Sequence, residues 1–261
     1  MGGRQGGTKK IRAITFTNLK GGTAKTTSAL SVAAQLAAWG RAVLLVDLDP
    51  QHSLTLSAGL PPSDDVLAVL TGERDPSCSG RPVESFAGAP GRLDIVTSDR
   101  SLAEVEGLPA QAVADGLTEL LRAAESAFDY VVIDPPPQSS PLVVAAYAVA
   151  DIRIVPVASG RAALDGLVGI RSMAAALGLP DIDGAFVARV NAQSVHDRAL
   201  VEHVRGLVPR FDAFVRETVT VREAEMSREP LPLFAPRSTA AEDAAAKGAA
   251  ALTRELKRLP S

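Results

Sequence analysis

The chain has 261 residues, of which 46% are hydrophobic, 22% charged and 4% aromatic. That apolar content supports a full core, in one large domain or two small ones, and excludes general disorder. Lys+Arg 27 against Asp+Glu 30 leave a formal charge of −3, which excludes a globally basic nucleic-acid binder. Any DNA contact therefore needs a local patch or oligomerisation. The one cysteine, Cys78, can close no internal disulfide, and with three histidines the chain is poorly equipped for zinc or iron–sulfur binding.

Residues 1–10, rich in glycine, lack the apolar run of a secretory signal and are expected to form a flexible N-terminal tail. No stretch approaches the ~20 apolar residues of a membrane-spanning helix, so the default compartment is the cytoplasm. Strands are expected at 11–17, 42–47, 93–97, 130–134, 152–157 and 185–190. All but the first are nearly continuous apolar runs, as for strands buried on both faces. Helices are expected at 26–39, 110–127, 140–150, 163–177 and 195–208, with Gly40 and Gly178 at their C-terminal stops. This alternation argues for an α/β fold, a mostly parallel central sheet flanked by helices. Residues 75–91, rich in Gly, Pro and Ser, read as an irregular connection. Three prolines in 229–236 break regular structure before a final Ala-rich helix. No repeat and no linker separates two cores, so 11–261 is expected to be a single domain.

The segment Asn18-Leu19-Lys20-Gly21-Gly22-Thr23-Ala24-Lys25-Thr26-Thr27 follows a predicted strand and opens a predicted helix, the context of a phosphate-binding loop. Gly21 and Gly22 let successive N–H groups point at an anion, and the helix N-terminus adds its positive dipole end. Lys25 would reach the β- and γ-phosphates, the Thr26 hydroxyl would ligate Mg²⁺, and Thr27 would lie near the α-phosphate. Leu19 and Ala24 replace the two glycines of the G-x-x-x-x-G-K-[ST] pattern. Two acid elements follow. Val43-Leu44-Leu45-Val46-Asp47-Leu48-Asp49-Pro50-Gln51 is a buried strand ending in carboxylates, at the strand end where open α/β sheets bind ligands. Tyr130-Val131-Val132-Ile133-Asp134 is the Walker B arrangement, with Asp134 on Mg²⁺. Asp129 reads as a turn residue.

Lys20, five residues before Lys25, makes the loop resemble the deviant Walker A motif. Over residues 11–256 the chain is similar to the ParA/MinD group of partitioning ATPases. The Asp47–Gln51 run looks like the group's D-x-D-P-Q element. Pro135 departs from the usual D-[CT]-P-P after the Walker B acid, and three consecutive prolines there stiffen the expected γ-phosphate switch. The resemblance implies a P-loop NTPase of the deviant Walker A type, using ATP and Mg²⁺. Lys20, Lys25 and Asp49 would be catalytic, with Asp49 orienting the attacking water. Lys20 would cross a homodimer interface to the partner's nucleotide. Lys20, Gly21, Gly22, Thr23, Ala24, Lys25, Thr26 and Thr27 would bind nucleotide, with Asn191 and Pro230 near the adenine. Thr26, Asp47 and Asp134 would serve the metal. The segments 154–157 and 163–167 match the group's dimer face.

The same resemblance implies an ATP-bound dimer that binds DNA non-specifically and is released by hydrolysis that a ParB-like centromere-binding protein stimulates. Arg198, Arg205 and Arg222, from an arginine cluster late in the chain, are the candidate DNA contacts, and the protein would be nucleoid-associated. One alternative is a MinD-like membrane-associated positioning ATPase, for which Leu252, Leu256 and Leu259 supply a narrow apolar stripe. Packing of that helix on the domain is the favoured reading, so no stable membrane association is expected. Another is a ParA-like ATPase that positions a protein cargo. Amide-forming ligases of similar loop carry substrate-binding inserts that a chain of this length hardly accommodates. An iron-protein reductase would need two cysteines.

Overall fold

The computed structural model describes residues 11–158, 163–190, 194–208 and 215–216. In chain order the elements are β1 (Arg12–Phe16), α1 (Lys25–Ala38), β2 (Ala42–Asp47), α2 (Ser53–Ser57), α3 (Asp65–Leu70), β3 (Arg81–Pro82) and β4 (Arg92–Val96). They continue with α4 (Ala110–Ala124), β5 (Tyr130–Asp134), α5 (Pro141–Val149), β6 (Ile152–Ala158), α6 (Ala163–Ala176), β7 (Gly184–Val190), α7 (Val195–Leu207) and β8 (Val215–Arg216). The strands form one sheet in the order β3-β4-β2-β5-β1-β6-β7-β8, parallel throughout except for the two-residue edge strand β3.

Strand side chains alternate between two faces, and each face meets its own helices. Val43 and Leu45 of β2 pack under α1, whose Ala29, Ala33, Ala34 and Ala37 are buried. These small side chains let the helix backbone lie close to the sheet. Leu44 and Val46 face the opposite way, onto Val113, Leu117 and Leu120 of α4 and Leu142 of α5. On α4 the buried positions recur every three or four residues, the period of a one-sided helix. A third cluster joins Val155 and Val157 of β6 to Leu167 and Ile170 of α6 and to Val204 of α7. Each buried Leu, Ile or Val contributes about 1.5–3 kcal/mol over an exposed one.

Gly40 and Gly178 terminate α1 and α6 with φ of 77° and 65°. Behind them Arg41 N–H donates back to Leu36 O and Leu179 N–H to Ala174 O. Both stops are those expected from the sequence. The connection 75–91 is largely irregular, but it also contains β3 and two single-turn 3₁₀ segments. Asp129 is a structural turn residue: its carboxylate accepts from Ala42 N at 3.0 Å and its N–H donates to Ala42 O at 2.7 Å. No helix among the described residues is long and apolar enough to cross a membrane. Residues 1–10, expected as a tail, and the C-terminal residues expected to form an Ala-rich helix lie outside the described residues.

The sheet order puts the site where it is. β1 lies between β5 and β6, so the chain leaves toward β2 on one side and reaches β6 on the other. The crevice at the carboxyl end of such a switch strand is where open α/β sheets take ligands.

Candidate functional site

The loop leaving β1 is braced from beneath by Asn18, which is buried. Its Nδ2 donates to Pro156 O at 2.8 Å, and its Oδ1 accepts from Lys20 N at 2.9 Å. Helix α6 approaches so closely that a Cβ on Gly166 would lie 1.9 Å from Asn18 Oδ1. Gly22 (φ 71°) makes the turn that glycine permits. Ala24 also adopts a left-handed conformation, φ 65° and ψ 28°, at the N-cap of α1. That is the position where the general pattern has its second glycine, and an alanine there carries about 1–2 kcal/mol of backbone strain. The Ala24 carbonyl accepts both Ser28 N–H at 2.9 Å and Ser28 Oγ at 2.6 Å.

The two loop lysines have different environments. Lys25, 7% exposed, folds back over the loop and its Nζ donates to Lys20 O at 3.3 Å. Thr23 Oγ1 donates to the same carbonyl at 3.2 Å. Burial lowers the Lys25 pKa, while the Asp134 and Asp49 carboxylates act to raise it. The Lys20 side chain, by contrast, is exposed.

The acids converge on this loop as the sequence predicts. Asp47 and Asp134 end neighbouring strands in register, β2 and β5. Asp47 is fully buried, and its Oδ2 accepts from Thr55 N at 2.8 Å and Thr55 Oγ1 at 2.7 Å. Its Oδ1 accepts from Asp49 N at 3.1 Å. Burial raises its pKa to about 6 against the pull of these hydrogen bonds. Both oxygens are thus engaged within the protein, and any service to a metal shell would be indirect. Asp134 is equally buried, yet neither of its oxygens receives a hydrogen bond of normal geometry from a described residue. Burial first, then the Asp47 charge, raise its pKa to about 8; the nearby Thr26 hydroxyl and Lys25 ammonium act to lower it. Two buried, unpaired carboxylate oxygens beside a threonine hydroxyl are a hard-oxygen set suited to Mg²⁺. Asp49 is half-buried at the rim, its Oδ1 accepting from Gln51 N at 2.9 Å.

Lys20, Gly21, Gly22, Thr23, Ala24, Lys25, Thr26, Thr27, Asp47, Asp49 and Asp134 all belong to this one crevice, built by the loop after β1 and the ends of β2 and β5. Asn191, Arg222 and Pro230 lie outside the described residues. Arg198, exposed, and Arg205 sit two turns apart on α7, away from the phosphate loop in sequence and on the far strands' side of the sheet. Asn18, Thr55 and Ser98 belong to no sequence motif, yet all three are buried and hydrogen-bonded around the crevice. The readable signal was a polar residue following a strand end or lying inside an apolar run, which marks a buried side chain with a bonding task.

A protein-family model described as an AAA domain matches residues 11–177. Chromosome-partitioning ATPase Soj of Thermus thermophilus is 39% identical over 161 residues, 62% of this chain and 60% of that protein. Chromosome partitioning protein ParA of Myxococcus xanthus is 29% identical over 269 residues, covering 99% of this chain and 94% of that one. Among solved structures, cobyrinic acid a,c-diamide synthase of Mycobacterium smegmatis superimposes with a TM-score of 0.76 at 26% identity, covering 95% of this chain and 96% of that one. That match corrects the expectation that an amide-forming enzyme would be too large for this chain: length does not separate the two. The separation rests on sequence likeness, 39% identity to Soj over 161 residues against 26% to the synthase. With its matched AAA domain and these relatives, the chain belongs to the ParA/Soj-type family of P-loop partitioning ATPases.

Proposed function

We propose that this ATPase works as a nucleotide-gated dimer that binds DNA non-specifically and is released when a ParB-like partner stimulates hydrolysis. The observation that carries the reading is the contrast between the two lysines of one loop. Lys25 is buried against Asp134 and Asp49, where it serves the nucleotide of its own subunit. Lys20 is exposed on the same loop, placed to reach outward. A cation shared between two triphosphates would offset their repulsion and make ATP part of the interface.

Within the subunit, backbone N–H groups of residues 21–25 and the α1 N-terminus would cradle the phosphates. Thr26 and Asp134 would hold Mg²⁺, which when bound neutralises charge on the β- and γ-phosphate oxygens. Asp49 would accept a hydrogen bond from the attacking water and orient it. Arg198, Arg205 and Arg222 would contact DNA phosphates, doubled in number by dimerisation. The cargo would be plasmid or chromosomal DNA, and the names of the Thermus and Myxococcus relatives favour the chromosome.

Sedimentation of the protein and of Lys20→Ala with Mg²⁺ and ATP tests the reading. The parent should dimerise, and the variant should bind nucleotide yet stay monomeric. An ATP dimer of the variant as stable as the parent's would remove Lys20 from the interface.

A further inference from the structure

A carboxylate just past a strand end is ordinarily free to move with its loop. At Asp49 the backbone is instead held on both sides. Its N–H donates to Asp47 Oδ1 at 3.1 Å, and its carbonyl accepts from His52 N at 2.8 Å and from Ser98 Oγ at 3.1 Å. The two holds are joined behind Asp49 by Thr55. The Thr55 N–H and Oγ1 both donate to Asp47 Oδ2, at 2.8 and 2.7 Å, and the same Oγ1 accepts from Ser98 N at 3.1 Å. Asp47, Thr55, Ser98 and Asp49 therefore form a closed ring of hydrogen bonds. Thr55 and Ser98 are each 0% exposed, so water does not compete for these bonds.

The ring is tied to the sheet edge as well. Thr97, next to Ser98, donates from Oγ1 to Asp65 Oδ2 at 2.7 Å. Asp65, itself buried, is paired with Arg74 and Arg81. The end of β4 is thus fixed by charge-assisted bonds on one side and fixes Asp49 on the other.

We propose that Thr55 and Ser98 are positioning residues for hydrolysis, holding the Asp49 segment in its reactive orientation without themselves touching nucleotide. The inference rests on the reading of Asp49 as the group that orients water. Loss of positioning should lower turnover and leave nucleotide binding alone, because the phosphate loop is built from other residues.

The test measures kcat, KM and nucleotide affinity for Thr55→Val, Thr55→Ser, Ser98→Ala, Asp49→Ala and the double variant Thr55→Val/Asp49→Ala. Thr55→Val and Ser98→Ala should lower kcat about tenfold, less than the ~100-fold that a 1 Å misplacement can cost. Nucleotide affinity should stay within about twofold of the parent, and Thr55→Ser, which keeps the hydroxyl, should restore turnover. In the Asp49→Ala background Thr55→Val should cost nothing further. Parental kcat in Thr55→Val and Ser98→Ala would overturn the proposal, as would affinity falling in step with kcat or a fully additive double variant. If Thr55→Val does not fold, Ser98→Ala decides alone, since there the Asp49 carbonyl keeps its bond from His52. Parental turnover in Asp49→Ala would instead defeat the reading of Asp49 itself.

Discussion

Asp47 and Asp134 sit side by side in register at the ends of β2 and β5, yet their carboxylates have opposite surroundings. Asp47 accepts three hydrogen bonds, one from Asp49 in the loop that follows it and two from Thr55 of α2, while Asp134, just as buried, accepts none of normal geometry from the described residues. Burying a carboxylate without donors is costly, and such a group in a native fold implies a cation or water that completes it. One acid of the pair organises the protein, and the other is left for a ligand.

Asp134→Asn follows from that difference. Burial raises the Asp134 pKa from 3.8 to about 8, so the group favours folding most below the lower value and that contribution is lost as pH rises through the upper one. An asparagine has no such dependence. At about pH 9 the nucleotide-free variant should be more stable than the parent by more than ~1 kcal/mol, because a pKa difference of one corresponds to about 1.4 kcal/mol. The same variant should lose Mg²⁺-dependent ATP hydrolysis. Denaturant unfolding at several pH values and a turnover assay check both halves.

Ala24→Gly should relieve the left-handed backbone at the N-cap of α1. The strain removed, about 1–2 kcal/mol, exceeds the ~0.5–1 kcal/mol of extra chain entropy that glycine loses on folding. The expected result is a stability unchanged or raised by up to about 1 kcal/mol in thermal unfolding, with nucleotide binding retained.

Gly166→Ala should damage the phosphate loop from behind. Its Cβ would meet Asn18 Oδ1 at 1.9 Å and Cγ at 2.8 Å, so Asn18 would have to leave its bonds to Pro156 and Lys20. Overpacking of this kind costs about 1–3 kcal/mol. ATP affinity should fall, as calorimetric titration would record, although residue 166 lies on α6 and outside every nucleotide motif.

Arg198→Glu should weaken DNA binding and reduce its salt dependence while leaving basal hydrolysis at the parental rate. Arg198 is exposed on α7, well outside the crevice in sequence, so its charge can be reversed without touching the phosphate loop. Unchanged affinity and salt slope would place the DNA patch elsewhere.

The long elements were legible because their signals are strong. Apolar strand runs such as 130–134 and glycine stops such as Gly40 and Gly178 are set by local physics. The crevice was legible too, since a phosphate loop and strand-end acids must meet at the carboxyl edge of a parallel sheet. The roles of Asn18, Thr55 and Ser98 were not, because each bonds to a residue distant in the chain: Asn18 to Pro156, and Ser98 to Asp49 and Thr55. Short pieces such as α2, α3 and β3 escaped for a related reason. At six residues or fewer they show no periodicity of their own and are held by tertiary bonds, as Asp65 at the start of α3 is held by Thr97 and Arg81.

The most direct test is binding to a non-specific DNA duplex with ATP, ADP or no nucleotide, across a series of salt concentrations. A nucleotide-gated dimer should bind only with ATP and Mg²⁺, and its binding should fall steeply as salt rises, because the dimer neutralises several phosphates at once. Binding that ignores the nucleotide, or no binding in any nucleotide state, would contradict a nucleotide-gated DNA-binding dimer.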